Sequence, residues 1–195
     1  NRISSDLHDE LGASLSSISI MGTLALNDAS KNTPSSSFIS KIIEESRVLS
    51  SSLDDIVWNI NPKNDTLSSI IARMTRYSSE LFEAKQIRYE FRFPERTDHL
   101  QLSMEQRRNF YLIFKEAVTN VAKHAQCSAA IISIELVQKH LILVVEDNGT
   151  GFDPKQKSYR NGLRIMNERA EVLNGRMNID SAGDKGTKVK LEFPI

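Results

Sequence analysis

The hydrophobic pattern of the amino-terminal third of the chain predicts two amphipathic helices joined by a loop. Apolar residues recur every three or four positions from Ile3 to Ala25 and again from Phe38 to Ile60, which is the spacing of one helical face. Serine, asparagine and proline in residues 27–37 favour a break between them. A lone hairpin exposes most of its apolar faces, so we expect two copies to pair as a four-helix bundle. Packing against the rest of the chain is the alternative.

The remaining residues alternate between helical and strand-like patterns. Asn61-Pro62 ends the second helix, since proline disfavours a helical conformation in the residue before it. The order of the later patterns predicts a mixed sheet covered by helices, and therefore two domains, residues 1–62 and 63–195. The expected helices are residues 66–85, 104–125 and 162–173, and the expected strands are residues 87–93, 129–136, 140–146, 177–181 and 187–193.

Composition narrows the classes of function. The 195 residues include 25 basic and 25 acidic side chains, so a direct nucleic-acid interaction is not expected. The single cysteine, Cys127, excludes an internal disulfide and suits a reducing compartment. The chain lacks the run of about 18 apolar residues that would cross a membrane, and it has no signal peptide. Because it starts at Asn1 without an initiator methionine and inside an expected helix, we expect a fragment of a longer protein, in which any sensor or membrane segment upstream is not visible.

His8 is the first candidate for chemistry. Its neighbours along the expected helix, Ser4, Ser5 and Gly12, are small and leave an imidazole nitrogen accessible. Asp9 follows directly, and a carboxylate beside an imidazole can hold one ring proton and make the other nitrogen more nucleophilic. The alternative is a solvated helix face that happens to include a histidine.

A second candidate lies on the strong helix of residues 104–125, for which Ser103 and Gln106 predict a capping box. Glu116, Asn120, Lys123 and His124 are spaced to share one helical face, and the opposite face is apolar. Oxygen ligands of this kind hold Mg²⁺, while a cation and an imidazole can meet phosphate oxygens. The alternative is the polar outer face of an ordinary amphipathic helix.

Glycine-containing turns form the remaining candidates. Asp147 directly follows an expected strand and precedes Gly149 and Gly151, and its carboxylate could accept a hydrogen bond from an exocyclic amino group such as adenine N6. The polar, partly basic stretch of residues 154–161 predicts a lid over an anionic ligand, with an ordinary surface loop as the alternative. Gly162-Leu163 opens a helix, whose backbone N–H groups can meet phosphate, and Gly186-Thr187 opens the last strand. Each pair alone is a commonplace cap or turn.

In this order the four segments resemble the H, N, G1 and G2 boxes of sensor histidine kinases, and the resemblance covers nearly the whole chain. The form of the boxes resembles one subfamily, whose members usually pair with response regulators that carry a LuxR-type helix-turn-helix. The residues in question are His8-Asp9-x-x-Gly12, Lys123-His124 and Gly162-Leu163-x-x-Met166-x-x-Arg169-Ala170.

The resemblance implies a fold, an activity and partners. The fold is a helical-hairpin domain that dimerises as a four-helix bundle, followed by the α/β two-layer sandwich of the GHKL (Bergerat) ATP-binding fold, as in gyrase, Hsp90 and MutL. The activity is ATP-dependent autophosphorylation of a histidine and transfer of the phosphoryl group to an aspartate on a response-regulator receiver domain. The partners are a second copy of the chain, bound through residues 1–62, and that regulator.

The resemblance also implies residue roles. His8 is the phosphoacceptor and Asp9 its acid/base partner. Asn120 ligates Mg²⁺, and Glu116 acts through a metal-bound or nearby water. Lys123 and His124 face the phosphates of ATP. Asp147 recognises adenine with support from Thr187 through water, while Gly149, Gly151 and Gly162 frame the ATP lid.

One position departs from the family pattern. Many members carry glutamine five residues after the histidine, where it orients the water that dephosphorylates the regulator; this chain has Ala13. We therefore expect weak or differently organised phosphatase activity. Two other classes remain open at this point: a GHKL-type ATPase or anti-sigma-type kinase without histidine phosphotransfer, and a non-catalytic dimeric signalling module.

Overall fold

The computed structural model describes residues 15–25, 36–61, 64–95, 97–152 and 160–195. Within these residues, the chain divides between Ile60 and Asn61 into two compact units. The predicted domain boundary at Pro62 lies outside the described residues. The elements, in chain order, are α1 (residues 15–25), α2 (Ser36–Ile60), α3 (Leu67–Ala84), β1 (Arg88–Arg92), α4 (Met104–Asn120), a π-helical turn (Val121–Ala125), β2 (Ala129–Val137), β3 (His140–Asp147), α5 (Arg160–Val172), β4 (Arg176–Ser181) and β5 (Thr187–Pro194).

The first unit contains α1 and α2, and α2 exposes an apolar seam. The seam consists of Ile39, Ile43, Leu53 and Val57, all exposed. These positions, with exposed Ser46 and Ser50 between them, alternate spacings of four and three residues, as the core positions of a coiled coil do. None of the described helices has the length and apolar content needed to cross a bilayer. The first unit therefore leaves this apolar seam of α2 exposed.

The second unit contains a five-stranded sheet in the order β1-β2-β3-β5-β4. β1 is parallel to β2, and the other neighbouring pairs are antiparallel. Strict alternation of burial along β3 places Leu141, Leu143 and Val145 on the inner face of the sheet. The core lies between this face and the helices α3, α4 and α5, which contact β1, β3 and β4 respectively. The expected mixed sheet with helical cover is confirmed.

α4, the helix that carries the second candidate group, is stabilised at its start by a capping box. The Ser103 hydroxyl accepts from the Gln106 N–H at 3.2 Å, and the Gln106 side chain accepts from the Ser103 N–H at 3.0 Å, as the sequence predicts. The buried apolar residues of α4 recur at spacings of three and four and so form one stripe along the helix. The buried apolar residues are Phe110, Ile113, Phe114, Ala117 and Val118.

The end of α4 differs from the prediction of a continuous helix over residues 104–125. The α-helix ends at Asn120, and Val121–Ala125 form a π-helical turn, with Gln126 in the left-handed region at φ 50°. The turn itself ends in a tertiary contact, in which the Ala125 carbonyl accepts from the Thr150 N–H at 2.9 Å. A π turn is wider than an α turn, so the side chains beyond Asn120 no longer follow the 3.6-residue period.

Candidate functional site

A cleft of about 200 Å³ opens beside the amino-terminal half of α5. It lies between α4 and the edge of the sheet where β3 ends and β5 begins. Its floor is apolar, with Val121, Val145, Met166 and Val189 among the lining residues. Polar side chains from α4, the π-helical turn, β3 and β5 face the same space: Glu116, Asn120, His124, Asp147 and Thr187. An apolar cleft with a few convergent polar groups is the usual form of a small-molecule site.

Glu116 and Asn120 lie one turn apart on α4 and interact with each other. The Asn120 side-chain nitrogen donates to Glu116 Oε1 at 3.4 Å, which leaves the Asn120 carbonyl oxygen available to another group. Among the described residues there is no cluster of three histidine, cysteine or acidic side chains that would enclose a metal ion. Mg²⁺ uses one or two protein oxygens and completes its shell with water and phosphate oxygens, so the donors present fit that ion.

His124 and Lys123 take different positions on the π-helical turn. Both residues are exposed, but His124 lines the cleft and Lys123 does not. The two residues were predicted to share the face of Glu116 and Asn120 on the basis of α-helical spacing. The wider turn changes that spacing, which explains why only one of them reaches the cleft.

Asp147, the last residue of β3, presents a buried carboxylate to the cleft. It is 6% exposed, and its Oδ1 accepts a hydrogen bond from the Gly149 N–H at 2.8 Å. Burial raises the pKa of this carboxyl above its ordinary value, while the backbone N–H groups of Gly149 and Thr187 act in the opposite direction. The arrangement offers a hydrogen-bond acceptor to a donor in the cleft, because the backbone amide fixes the orientation of the carboxylate.

Two glycines allow the surrounding loops to approach each other. Gly151 and Gly186 have φ of 62° and 71°, the left-handed region that favours glycine. A Cβ at Gly151 would collide with the Ala182 carbonyl, and one at Gly186 with the Asp147 carbonyl. The close packing of these loops keeps Asp147 and Thr187 at the rim of the cleft.

Asn148 ties the loop after β3 to the segment that follows α4. Its side-chain oxygen accepts from the backbone N–H groups of Ser128 and Ala129 at 3.0 and 2.9 Å, and its amide donates to the Ser128 hydroxyl at 3.0 Å. The Thr150 N–H bonds to Ala125 beside it. We refer to this set of bonds as the Asn148 clamp. The sequence did not predict the clamp, because Ser128 and Ala129 lie about 20 residues from Asn148. The only local signal was an asparagine in a turn, a residue type that often bonds to backbone groups there.

Gly162 and Leu163 line the cleft from the beginning of α5. A Cβ at Gly162 would lie 2.6 Å from Glu116 Oε1, so the absent side chain leaves room for that carboxylate. Met166 follows one turn later and is buried. The cleft therefore brings together most of the predicted residues of the ATP-binding segments.

Several predicted features fall outside the described residues. They include His8, Asp9, Ala13 and residues 154–159 of the predicted lid. Residues 160 and 161, which the lid prediction included, begin α5 instead.

Comparison with known proteins finds a family match for the carboxy-terminal region. Residues 105–195 match the family described as histidine kinase-, DNA gyrase B-, and HSP90-like ATPase. The matched region contains every polar residue that lines the cleft.

Curated relatives extend the similarity. The oxygen sensor histidine kinase NreB of Staphylococcus carnosus is 44% identical over 89 residues, 44% of this chain and 25% of that protein. The sensor histidine kinase DesK of Bacillus subtilis is 31% identical over 199 residues, 99% of this chain and 50% of that protein. The signal transduction histidine-protein kinase/phosphatase DegS of Bacillus subtilis is 31% identical over 123 residues, 61% of this chain and 32% of that protein. The chain spans half or less of the length of each.

Solved structures share the fold at low sequence identity. The histidine kinase AdeS of Acinetobacter baumannii aligns with a TM-score of 0.65 and 14% identity, covering 91% of this chain and 94% of that chain. The histidine kinase domain of the blue-light activated kinase from Erythrobacter litoralis EL346 aligns with a TM-score of 0.58 and 15% identity, covering 100% and 94%. The expected α/β sandwich of the GHKL type is thereby confirmed.

Proposed function

Since residues 105–195 match the family described as histidine kinase-, DNA gyrase B-, and HSP90-like ATPase, we propose that this chain is the catalytic core of a sensor histidine kinase. It transfers the γ-phosphoryl group of ATP to His8 and from there to an aspartate on a response-regulator receiver domain. The observation that carries the proposal is the cleft, which joins the Glu116 and Asn120 face of α4 to the buried carboxylate of Asp147.

The adenine end of the nucleotide would lie at Asp147. A buried, oriented carboxylate is suited to accept from the exocyclic amino group of adenine, and Thr187 lies beside it on the neighbouring strand. Val145, Met166 and Val189 supply apolar surface for the faces of the ring. The base would therefore be held by shape and by a small number of hydrogen bonds.

The phosphate end would lie along α4 and the start of α5. Asn120 would hold Mg²⁺ through its free side-chain oxygen, with Glu116 bound to it through water. When bound there, the ion neutralises phosphate charge and helps to orient the triphosphate. His124 and the backbone N–H groups at Gly162 and Leu163 are available to phosphate oxygens. Lys123, Gly149 in the loop after β3 and Gly186 before β5 remain predicted contributors to nucleotide binding.

The transfer step itself uses His8 as nucleophile. Its free imidazole nitrogen attacks the γ-phosphorus as the bond to the ADP oxygen breaks, and Asp9 holds the proton on the other ring nitrogen. The products are ADP and a phosphohistidine. Positioning and charge neutralisation supply most of the catalysis in reactions of this class. A regulator aspartate then attacks the phosphohistidine, which restores His8.

Homodimerisation through residues 1–62 is part of the proposal. The exposed seam of α2 has the spacing of a coiled-coil core, and a second copy of the chain would cover it in a four-helix bundle. We place the activity in the cytoplasm, with any membrane anchor outside this chain.

Labelled ATP tests the proposal directly. Incubation with γ-labelled ATP should give a protein-bound label that is stable to alkali and lost in acid, and His8→Gln should abolish it. An Asn120→Ala variant that remains folded should also lose the label. Alkali-labile label on a serine, or ATP hydrolysis without labelling, would instead support the ATPase or anti-sigma-type alternative.

Ala13 bears on the reverse reaction. DegS is described as a kinase/phosphatase, but alanine cannot orient a water molecule by hydrogen bonding. We propose that this core stimulates dephosphorylation of its regulator only weakly and that Ala13→Gln raises the rate. A time course of phospho-regulator decay measures both, and strong stimulation by the parent chain would contradict the proposal.

A further inference from the structure

Three polar side chains form a row across the inner face of the sheet at the cleft. Ser181 on β4 is paired in register with Thr187 on β5, which is paired with Asp147 on β3. Directly paired residues on neighbouring strands project to the same face. Asp147 and Thr187 line the cleft, whereas Ser181 lies behind Thr187 and does not line it.

The hydrogen bonds of Ser181 determine where its proton points. The Ser181 hydroxyl contacts the Gly186 carbonyl oxygen at 3.2 Å, and a carbonyl can only accept, so Ser181 donates to it. The Ser181 oxygen also accepts from the Phe152 N–H at 2.9 Å. With its one proton committed, Ser181 can take part in its 3.0 Å contact with the Thr187 hydroxyl only as an acceptor.

It follows that Thr187 donates its proton away from the cleft. A hydroxyl has one proton and two lone pairs, so Thr187 then presents only lone pairs to a ligand. The Asp147 carboxylate next to it also accepts. A water molecule that donates one proton to each of these two groups would in turn offer a lone pair. The rim is therefore an acceptor surface, whether contact with the ligand is direct or through one water.

We propose that Ser181 is a positioning residue that makes the cleft selective for a base with an amino group rather than a carbonyl at the recognised position. The inference rests on the proposed binding of ATP at this cleft. An amino group on the base can donate to the acceptors at the rim, Asp147 and Thr187. A carbonyl in the same place would bring its own lone pairs against theirs, with no proton to form a hydrogen bond.

Loss of the Ser181 hydroxyl should reduce this selectivity. In Ser181→Ala the Thr187 proton loses the Ser181 oxygen as its acceptor and can rotate toward the cleft, where it can donate to a carbonyl. ATP should then lose part of its advantage over inosine triphosphate (ITP), which carries a carbonyl in place of the amino group. One hydrogen bond gained or lost corresponds to a change in the ratio of the two affinities of about three- to tenfold.

The test measures the dissociation constants of ATP and ITP by calorimetry on the whole chain. We expect the parent to prefer ATP, Ser181→Ala to lower the ATP:ITP preference, and Ser181→Thr, which keeps the hydroxyl, to retain it. A fall in affinity for both nucleotides by the same factor would overturn the inference, since it would mean that Ser181 only supports the backbone at Phe152.

A double-mutant cycle separates the two roles further. Thr187→Val removes the hydroxyl that Ser181 orients, so Ser181→Ala added to Thr187→Val should leave the ATP:ITP ratio unchanged. A further change in that background would count against the inference. Absence of ATP binding by the parent chain would refute the proposed function instead, so the two failures are distinguishable.

Discussion

Gly162 has no side chain, and the space this leaves is occupied by the carboxylate of Glu116. The position has an ordinary helical backbone, but its Cβ would lie 2.6 Å from Glu116 Oε1. In Gly162→Ala we expect the Glu116 carboxylate to move. Autophosphorylation should slow at least about tenfold, because a displacement of about 1 Å in an active site can cost about 100-fold. The free energy of unfolding should stay equal or rise by up to about 1 kcal/mol, since alanine favours a helix over glycine.

Gly183→Ala is the matched control for Gly162→Ala. Nothing lies within 4 Å of a Cβ at Gly183, so both the rate and the stability should match those of the parent. The rate is measured with labelled ATP and the stability by chemical denaturation. Unchanged autophosphorylation in Gly162→Ala would show that the space at this glycine has no role in placing Glu116.

The buried carboxyl of Asp147 leads to a prediction about pH. Because its pKa in the folded state is raised by burial, the contribution of this group to stability is fully present below the ordinary value of 3.8 and is lost as the pH rises through the folded pKa. The parent therefore carries the penalty of a buried charge at pH 7. Asp147→Asn removes it and should raise the free energy of unfolding of the nucleotide-free protein at pH 7, with a smaller difference from the parent at pH 5.

Asp147→Asn should at the same time weaken ATP binding. The Gly149 N–H would hold the amide oxygen, so the amide nitrogen would turn toward the cleft and oppose an amino group on the base. Denaturation at several pH values and calorimetry with ATP give the two readouts. A variant that is less stable than the parent at pH 7 would contradict the direction of the pKa shift.

At the residue scale, the sequence predicts best those positions whose partners are local. Glu116 and Asn120 share a face because they lie four residues apart on one helix, and Asp147 lies at the cleft because it ends a strand with alternating burial. Ser181 was not predicted. Its role depends on the register between β4 and β5 and on a contact with Phe152, 29 residues away, neither of which follows from a local pattern.

At the element scale, the Asn148 clamp connects the two parts of the site. Asn148 directly follows Asp147, and its side chain bonds to Ser128 and Ala129, which lie just beyond the π-helical turn that carries His124. Asn148→Ala should lower the free energy of unfolding by about 1 kcal/mol, since water can replace bonds at an exposed position. It should also weaken ATP binding more than that small loss of stability suggests.

Asn167→Ala is a suitable control for the clamp. Asn167 is also exposed, but its side chain bonds only within its own helix, to the Leu163 carbonyl at 3.0 Å. We expect little change in ATP affinity for this variant, as measured by calorimetry beside Asn148→Ala. Equal effects of the two substitutions on ATP affinity would indicate that the clamp does not position the site.

The two ends of α4 show which element boundaries a periodic sequence pattern can and cannot predict. The start of α4 was predicted because the capping box of Ser103 and Gln106 is a local hydrogen-bonding unit. Its end was placed at Ala125 because the apolar period continues through Val121, whereas the structure has a π-helical turn over those residues. The bond from Thr150 to Ala125 comes from a loop 25 residues later, so no helical period could reveal it.

At the scale of the whole molecule, the mixed sheet and its helical cover followed from the order of helical and alternating segments. The spatial order β1-β2-β3-β5-β4 and the parallel pairing of β1 with β2 did not, because strand order depends on how the connections cross the sheet. Two-fold periodicity identifies the face of each strand, but it does not identify the neighbours of that strand.

Assembly provides the last prediction, which concerns the exposed seam of α2. Ile43 lies on the seam and is 47% exposed, whereas Val48 lies on the opposite side of the same helix and is 49% exposed. If a second copy covers the seam, Ile43→Asp places a charge at an apolar interface. In a two-fold symmetric dimer each substitution occurs twice. We therefore expect the dissociation constant of the dimer to rise by at least about tenfold, about 1.4 kcal/mol.

Val48→Asp is the matched control for Ile43→Asp, because it introduces the same charge at an equally exposed β-branched residue of the same helix. Sedimentation velocity over a range of protein concentrations gives the dissociation constants, and ATP binding by calorimetry shows whether each variant remains folded. We expect Val48→Asp to dimerise like the parent. If both substitutions weaken the dimer equally, or neither does, the seam is not the dimer interface, and the expected four-helix bundle would have to form through another face of the hairpin.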